Sequence, residues 1–327
     1  MNQKYCLYLN NGINFHHSGL TFCNKLWQDY SFQKYNDDYL KLFFEKRKII
    51  LENMKNNICP EHCEQCLYLK EIDKNEKIEN TIKFIEIYHW NQCNCACIYC
   101  SNRETTKLKI TTKRNQNGVI NVLSDLKKLQ KEQLLDKNIE ISMVGGEPTI
   151  LKEFPQLLKF FIKNQYVVNI LSNGILYEKQ VTKVIKTNPK SSICISLDCA
   201  SKENYIKIKG IDKFDDVIKN IKKYIKETKQ FSNRIIVKYI ILKGINDTEE
   251  EIDKWIDLCT SIGVTNYFPS IEFCHSVKNP EKSELTQEIC DLYNYMKKRI
   301  KDSNSEFTIS TYDFVEEMIK NRSYKIR

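Results

Sequence analysis

From about Lys83 to Phe273 the sequence alternates short β-type runs with amphipathic stretches, and this rhythm admits few folds. The strand-like runs are Phe84–His89, Ile139–Val144, Val167–Leu171, Ser192–Leu197, Arg234–Leu242 and Asn266–Phe273. Between them, apolar residues recur at helical spacing over Ile120–Glu132, Phe154–Lys163, Lys179–Thr187, Lys213–Glu227 and Glu249–Ile262. Strands alternating with helices read as repeated βαβ units and a parallel sheet. The runs are nearly continuous in apolar residues, which predicts a sheet covered on both faces. Six units are too few for a closed eight-stranded barrel but suit a partial one. The expected fold class is therefore α/β, a partial (β/α)6 TIM-like barrel, with chemistry at the C-terminal strand ends.

The flanks differ. Residues 1–80 carry aromatic-rich pieces (Tyr5, Tyr8, Phe15, Phe22, Trp27, Tyr30), one predicted helix over Asp38–Asn53 and no βα alternation. They read as a small Cys-rich N-terminal module, and so short a segment often needs a metal staple. Residues 81–280 would form the barrel, and residues 281–327 a short C-terminal helical extension. That extension holds predicted helices Thr286–Lys301 and Phe314–Lys320 around a strand-like Phe307–Ser310.

The net charge is +9, but lysines are spread along the chain. In Asp125–Leu129 and Ile218–Ile225 they interleave with Ile or Leu at helical spacing, as on solvated helix faces. A nucleic-acid partner is not expected on that ground. No apolar run approaches the ~18 residues of a membrane span, so no membrane partner is expected. Met1–Asn11 is polar and broken by Asn-Asn-Gly, so it does not read as a secretory signal. A cytoplasmic location is the expectation.

Fourteen cysteines without an export signal argue against a disulfide framework and for metal ligands or catalytic thiols. Seven of them lie between positions 59 and 100. Residues 93–100 read Cys-Asn-Cys-Ala-Cys-Ile-Tyr-Cys, directly after the first strand. Cys93, Cys97 and Cys100 make C-x3-C-x2-C, soft ligands suited to zinc or an iron–sulfur centre. A closed zinc site needs a fourth ligand, which Cys95 or His89 could supply. Three thiolates on a 4Fe–4S cluster instead leave one iron open.

This loop resembles that of the radical S-adenosylmethionine (radical SAM) superfamily. Further matches follow in order: Gly145-Gly146-Glu147-Pro148-Thr149 after strand two and Leu171-Ser172-Asn173-Gly174 closing strand three. Ser196-Leu197-Asp198 ends strand four, and Gly244-Ile245-Asn246-Asp247 follows strand five. The resemblance spans roughly Lys83 to Phe273. It implies that Cys93, Cys97 and Cys100 hold a 4Fe–4S cluster whose open iron binds S-adenosylmethionine. Gly145, Gly146 and Glu147 would receive the methionyl ammonium, because glycine lets backbone approach closely and carboxylate and carbonyl oxygens accept its hydrogen bonds. Ser172, Ser196 and Asp198 would contact ribose or carboxylate, unless they merely bond backbone or cap a helix. Tyr99 would pack by the adenine or the cluster. Cys95 reads as a small hydrophobe, Cys194 and Cys259 as core, and Cys199 and Cys274-His275 as possible lining of the mouth. Lys209 stands where relatives frequently carry Arg.

Upstream, Cys59-Pro-Glu-His-Cys63-Glu-Gln-Cys66 follows Cys6 and Cys23. The order Cys, two-strand ribbon, Cys, helix, C-x2-C is similar to the SPASM or twitch auxiliary-cluster modules, here ahead of the barrel. The resemblance implies a second 4Fe–4S cluster on Cys6, Cys23, Cys63 and Cys66, with Cys59 spare and zinc the alternative metal. The function implied is reductive cleavage of S-adenosylmethionine to a 5′-deoxyadenosyl radical that abstracts hydrogen from a substrate. The substrate would be a peptide or protein, modified or matured; a sugar, nucleoside or other small metabolite is the alternative. A reductant such as flavodoxin or ferredoxin is implied. A rival from another class is a non-catalytic iron–sulfur or zinc binding protein.

Overall fold

A computed structural model describes residues 2–23, 32–60, 63–64, 66, 68–73, 75–76, 78–100, 118–272, 286–303 and 305–307. Trp27, Tyr30, Cys274-His275, residues 308–310 and the predicted helix Phe314–Lys320 lie outside the described residues. The chain opens with β1 (Asn2–Cys6), α1 (Leu7–Asn11), β2 (Gly12–His16), β3 (Gly19–Thr21), β4 (Phe32–Lys34), α2 (Tyr39–Lys55) and β5 (Leu69–Asp73). There follow β6 (Ile82–Tyr88), α3 (Val122–Lys131), β7 (Leu135–Met143), α4 (Phe154–Asn164), β8 (Val167–Ser172), α5 (Lys179–Thr187) and β9 (Ser192–Ser196). The remainder is α6 (Lys202–Lys209), α7 (Phe214–Thr228), β10 (Ile235–Ile241), α8 (Glu249–Ser261), β11 (Asn266–Ile271), α9 (Gln287–Asp302) and β12 (Glu306–Phe307).

Ten strands form one sheet in the order β12-β11-β10-β9-β8-β7-β6-β2-β3-β4. β6 through β11 are mutually parallel, as the βα rhythm requires. The order is open at both ends, and no closed barrel forms among the described residues. β2 runs parallel to β6 with His16 opposite Tyr88, and β3 and β4 continue the sheet antiparallel. β1 and β5 pair separately. The N-terminal cysteine-bearing segment is thus hydrogen-bonded into the sheet that carries the motifs.

β10 and β11 are buried on both faces, as expected of continuous apolar runs, whereas β7, β8 and β9 are covered on one face over most of their length. Ile139, Ile141, Met143, Val168, Ile170, Ile193 and Ile195 are fully or nearly fully buried, in one core with Leu157, Phe161, Val181, Ile185, Val217 and Ile221 of the helices. Their alternates Glu140, Ser142, Asn169, Leu171, Ser192, Cys194, Ser196 and Lys238 remain accessible. Along β7 to β9 the period is two, as where helices cover one side only. Isolated polar residues inside apolar runs were the sign of that open face. On α7, Val217, Ile221, Tyr224 and Thr228 are buried while Lys219, Lys222, Lys223 and Lys226 are exposed, which is the solvated-face pattern. No helix among the described residues is long and apolar enough to cross a membrane.

Candidate functional site

Residues 89–100, which follow β6, lie over the C-terminal edge of the sheet and are pinned at several points. At the start His89 is fully buried and its Nε2 meets the Glu153 carboxylate. Gln92 O accepts the Glu147 amide at 2.9 Å. Asn173 Nδ2 donates to Asn94 Oδ1 at 2.6 Å and lies 3.7 Å from Cys93 Sγ. At the far end α6 holds the loop: Ala96 N donates to Lys209 O at 2.8 Å and Ile98 N to Ile208 O at 3.0 Å. Gly210, at φ +68, packs on Ala96 so closely that a Cβ there would sit 2.8 Å from the alanine methyl.

Cys93, Cys97 and Cys100 are half-buried thiols on this loop, and none is in a disulfide. Cys95 is buried and its thiol hydrogen-bonds Cys93 and Cys97. That bond, and then the Lys209 ammonium, hold the Cys97 thiol below its usual range although burial opposes them. A thiol biased toward thiolate is what iron requires.

Gly145 and Gly146 meet the loop without side chains in the way. Gly145 adopts φ +100, and a Cβ there would lie 2.4 Å from Tyr88 Cβ. A Cβ on Gly146 would lie 2.1 Å from Gln92 O and 2.7 Å from Trp90 Nε1. Glu147 points inward and is buried. Its Oε1 accepts Thr149 N at 3.1 Å, Thr149 Oγ1 at 2.6 Å and Ser172 Oγ at 2.8 Å, and its Oε2 accepts Asn173 N at 2.7 Å. Burial raises its carboxyl pKa despite these donors. The turn after β7 is thereby tied to the end of β8.

Asp198 is also turned inward, in the left-handed region at φ +63. Its Oδ1 accepts Ile240 N at 2.9 Å, while Oδ2 accepts Tyr99 OH at 2.8 Å and the Lys209 ammonium. Ser196 alone of the strand-end polar residues stands on the open face, opposite Lys238. The structure therefore joins the cysteine loop, Tyr99, Glu147, Ser172 and Asp198 in one hydrogen-bonded region and leaves Ser196 to the side. Asn94, Asn173 and Lys209 are structural members that sequence reasoning did not single out as such. Three buried donor or ring nitrogens along the loop, His89 Nδ1, Trp90 Nε1 and Asn94 Nδ2, have no hydrogen-bond partner among the described residues.

A second thiol site lies in the N-terminal segment. One cavity is lined by Cys6, Cys23, Cys63 and Cys66 together with Tyr8, Leu9, Tyr68 and Leu69. Burial pushes the Cys6 thiol up to about 12, and the nearby Cys23 and Cys66 add to it. Cys59 is not part of that lining; it lies beside Cys63, its thiol raised to about 11 by burial and by that neighbour. The four thiols share this apolar cavity, but among the described residues no group of three or more His, Cys, Asp or Glu side chains is arranged to hold a metal ion.

A parallel α/β sheet with a three-thiol loop and a Gly-Gly-Glu turn at its C-terminal edge defines a cofactor-binding class. Residues 87–259, more than half of the chain, match the Radical SAM superfamily, and the chain belongs to that superfamily. Its members use a 4Fe–4S cluster and S-adenosylmethionine. The chain is 28% identical over 185 residues to a GTP 3′,8-cyclase of Clostridium botulinum, covering 56% of this chain and 54% of the relative. It is 29% identical over 204 residues to the S-adenosyl-L-methionine-dependent tRNA 4-demethylwyosine synthase of Methanocaldococcus jannaschii, covering 60% of each. The chain thus spans only about half the length of the cyclase. Among solved structures, Streptococcus suis SuiB bound to precursor peptide SuiA matches with TM-score 0.52 and 13% identity, over 98% of this chain and 75% of that one. This likeness is one of fold.

Proposed function

We propose that the protein is a radical SAM enzyme that cleaves S-adenosylmethionine reductively and abstracts hydrogen from a substrate. The observation carrying this reading is that the Cys93–Cys97–Cys100 loop, the Gly145-Gly146-Glu147 turn and the ends of β8 and β9 meet at one sheet edge. Cys93, Cys97 and Cys100 would hold the 4Fe–4S cluster. When bound, cluster and S-adenosylmethionine together supply a 5′-deoxyadenosyl radical. The chain's own part is to bind, orient and exclude water. Glu147 Oε1 is filled by three internal donors, so the methionyl ammonium falls to Oε2 and to the Gly145 and Gly146 carbonyls. Ser196 is free to take a ribose hydroxyl, whereas Ser172 and Asp198 act by holding the turns. Cys6, Cys23, Cys63 and Cys66 would hold an auxiliary 4Fe–4S cluster of SPASM or twitch type, fed by a flavodoxin or ferredoxin in the cytoplasm.

For the substrate we infer a peptide or protein; the likeness to peptide-bound SuiB over 98% of this chain supports that reading. A nucleotide or other small anionic metabolite is the second reading. It is favoured by the GTP 3′,8-cyclase relatives and by Lys238. That residue stands on the open face against Phe268 and makes no ion pair among the described residues. Anaerobically reconstituted protein given dithionite and S-adenosylmethionine is expected to release 5′-deoxyadenosine, and Cys97→Ala to stop it. Undiminished cleavage by that variant would refute the assignment. Deuterium carried into 5′-deoxyadenosine from labelled peptide or labelled GTP separates the two substrate readings.

A further inference from the structure

Lys209 is a buried lysine on α6. It is 1% exposed, and its partner Asp198 is 0% exposed. Buried charges persist when paired and hydrogen-bonded, and here the ammonium has a carboxylate and a phenol as partners. The Lys209 ammonium meets Asp198 Oδ2 and donates to Tyr99 OH at 2.7 Å, and Tyr99 OH donates to the same carboxylate oxygen at 2.8 Å. Asp198 Oδ1 takes the Ile240 amide at 2.9 Å, and Asn246 Nδ2 donates to the Asp198 carbonyl at 2.8 Å.

Tyr99 is part of the cysteine loop, Asp198 reaches it through the Tyr99 hydroxyl, and Lys209 reaches it through its backbone carbonyl. Tyr99 lies between Cys97 and Cys100, and the Lys209 carbonyl takes the Ala96 amide, adjacent to Cys97. The pair therefore fixes two points of the loop to the ends of β9 and β10, and it sets two opposite charges beside the Cys97 end of the site.

We propose that Lys209, Asp198 and Tyr99 form a charged clamp that positions the Cys97–Cys100 half of the loop and tunes the reduction potential of the cluster held there. The inference rests on the reading of Cys93, Cys97 and Cys100 as cluster ligands. One-electron reduction by dithionite adds one negative charge to the cluster. A fixed ammonium favours that added charge and a fixed carboxylate opposes it, and net charge and hydrogen bonding near the sulfurs are levers on such potentials. Lys209, Asp198 and Tyr99 are thus positioning residues that act through the loop.

The test is an anaerobic redox titration of reconstituted full-length protein, followed by electron paramagnetic resonance on the signal that changes when S-adenosylmethionine is added. Lys209→Met is expected to lower the midpoint potential and Asp198→Asn to raise it. Lys209→Met with Asp198→Asn should return it close to the wild-type value. Should Lys209→Met fail to hold iron, Lys209→Arg against Asp198→Asn reads the same effect: Arg leaves the potential in place and Asn raises it. Single variants that shift the same way, or not at all, overturn the clamp while wild-type release of 5′-deoxyadenosine still upholds the cofactor reading. So does a Lys209→Met variant whose only change is weaker S-adenosylmethionine binding, the mark of a direct contact. Wild-type protein without a signal responsive to S-adenosylmethionine overturns the cofactor reading and the clamp together.

Discussion

Glu147 gathers four donors onto one buried carboxylate and so ties the turn after β7 to the end of β8. In Glu147→Gln one oxygen becomes an amide nitrogen, and whichever way the side chain settles, an N–H or O–H donor faces another donor. A buried unsatisfied donor costs about 1–3 kcal/mol. Chemical denaturation should show a loss of that size, together with weaker binding of S-adenosylmethionine; a variant as stable as wild type would show that the carboxylate is not the tie described. The Gly145, Gly146 and Glu147 types could be picked out in the sequence because they form a compact motif after a strand. What Glu147 does there could not, because its partners Ser172 and Asn173 lie 25 and 26 residues away. The same holds for Lys209. It stood out only as a departure from an Arg frequent in relatives, and its contact with Tyr99 spans 110 residues.

Among the elements, the six parallel strands and the helices α3, α4, α5, α7 and α8 fall within a few residues of the spans expected from periodicity, since each buries one face. α6 was missed: its Lys-Glu-Asn-Tyr-Ile-Lys-Ile-Lys sequence has an ill-defined apolar stripe, though Ser201 caps its start and Gly210 closes its end at φ +68. Leu7–Asn11 form α1, where Asn10 Nδ2 donates to Cys6 O at 2.7 Å. That turn helps bring Cys6 to the cavity shared with Cys23, Cys63 and Cys66. The four-thiol cavity yields a count. With two 4Fe–4S clusters the reconstituted protein should bind about eight irons, and Cys66→Ser should bind about four. Cys59→Ser, altered outside the cavity lining, should retain the full complement. Equal loss from both variants would mean that Cys59 belongs to the ligand set.

At the scale of the whole molecule the sheet is longer than the βα pattern indicates, because β2 adds to β6 and draws β3 and β4 after it. Such pairing between distant segments leaves no local signature. β2 reads only as Gly-Ile-Asn-Phe-His, and nothing within those five residues names β6 as its neighbour. Removing residues 1–80 would expose the β6 edge, and exposed edges of this kind pair with other chains. The truncated chain is expected to aggregate at concentrations where the full chain stays monodisperse in size-exclusion chromatography. A monodisperse truncated chain would mean that residues 81–327 need no such cover.

The pairing of His16 with Tyr88 also puts the two thiol groups on adjoining ribbons: β2 connects back to Cys6, and β6 runs forward into the Cys93 loop. Were Cys6, Cys23, Cys63 and Cys66 to hold a metal centre as proposed, its loss to air would act on the strand beside β6, from which the Cys93 loop is hung. The shelf life of the catalytic end would then be decided at the other end of the polypeptide.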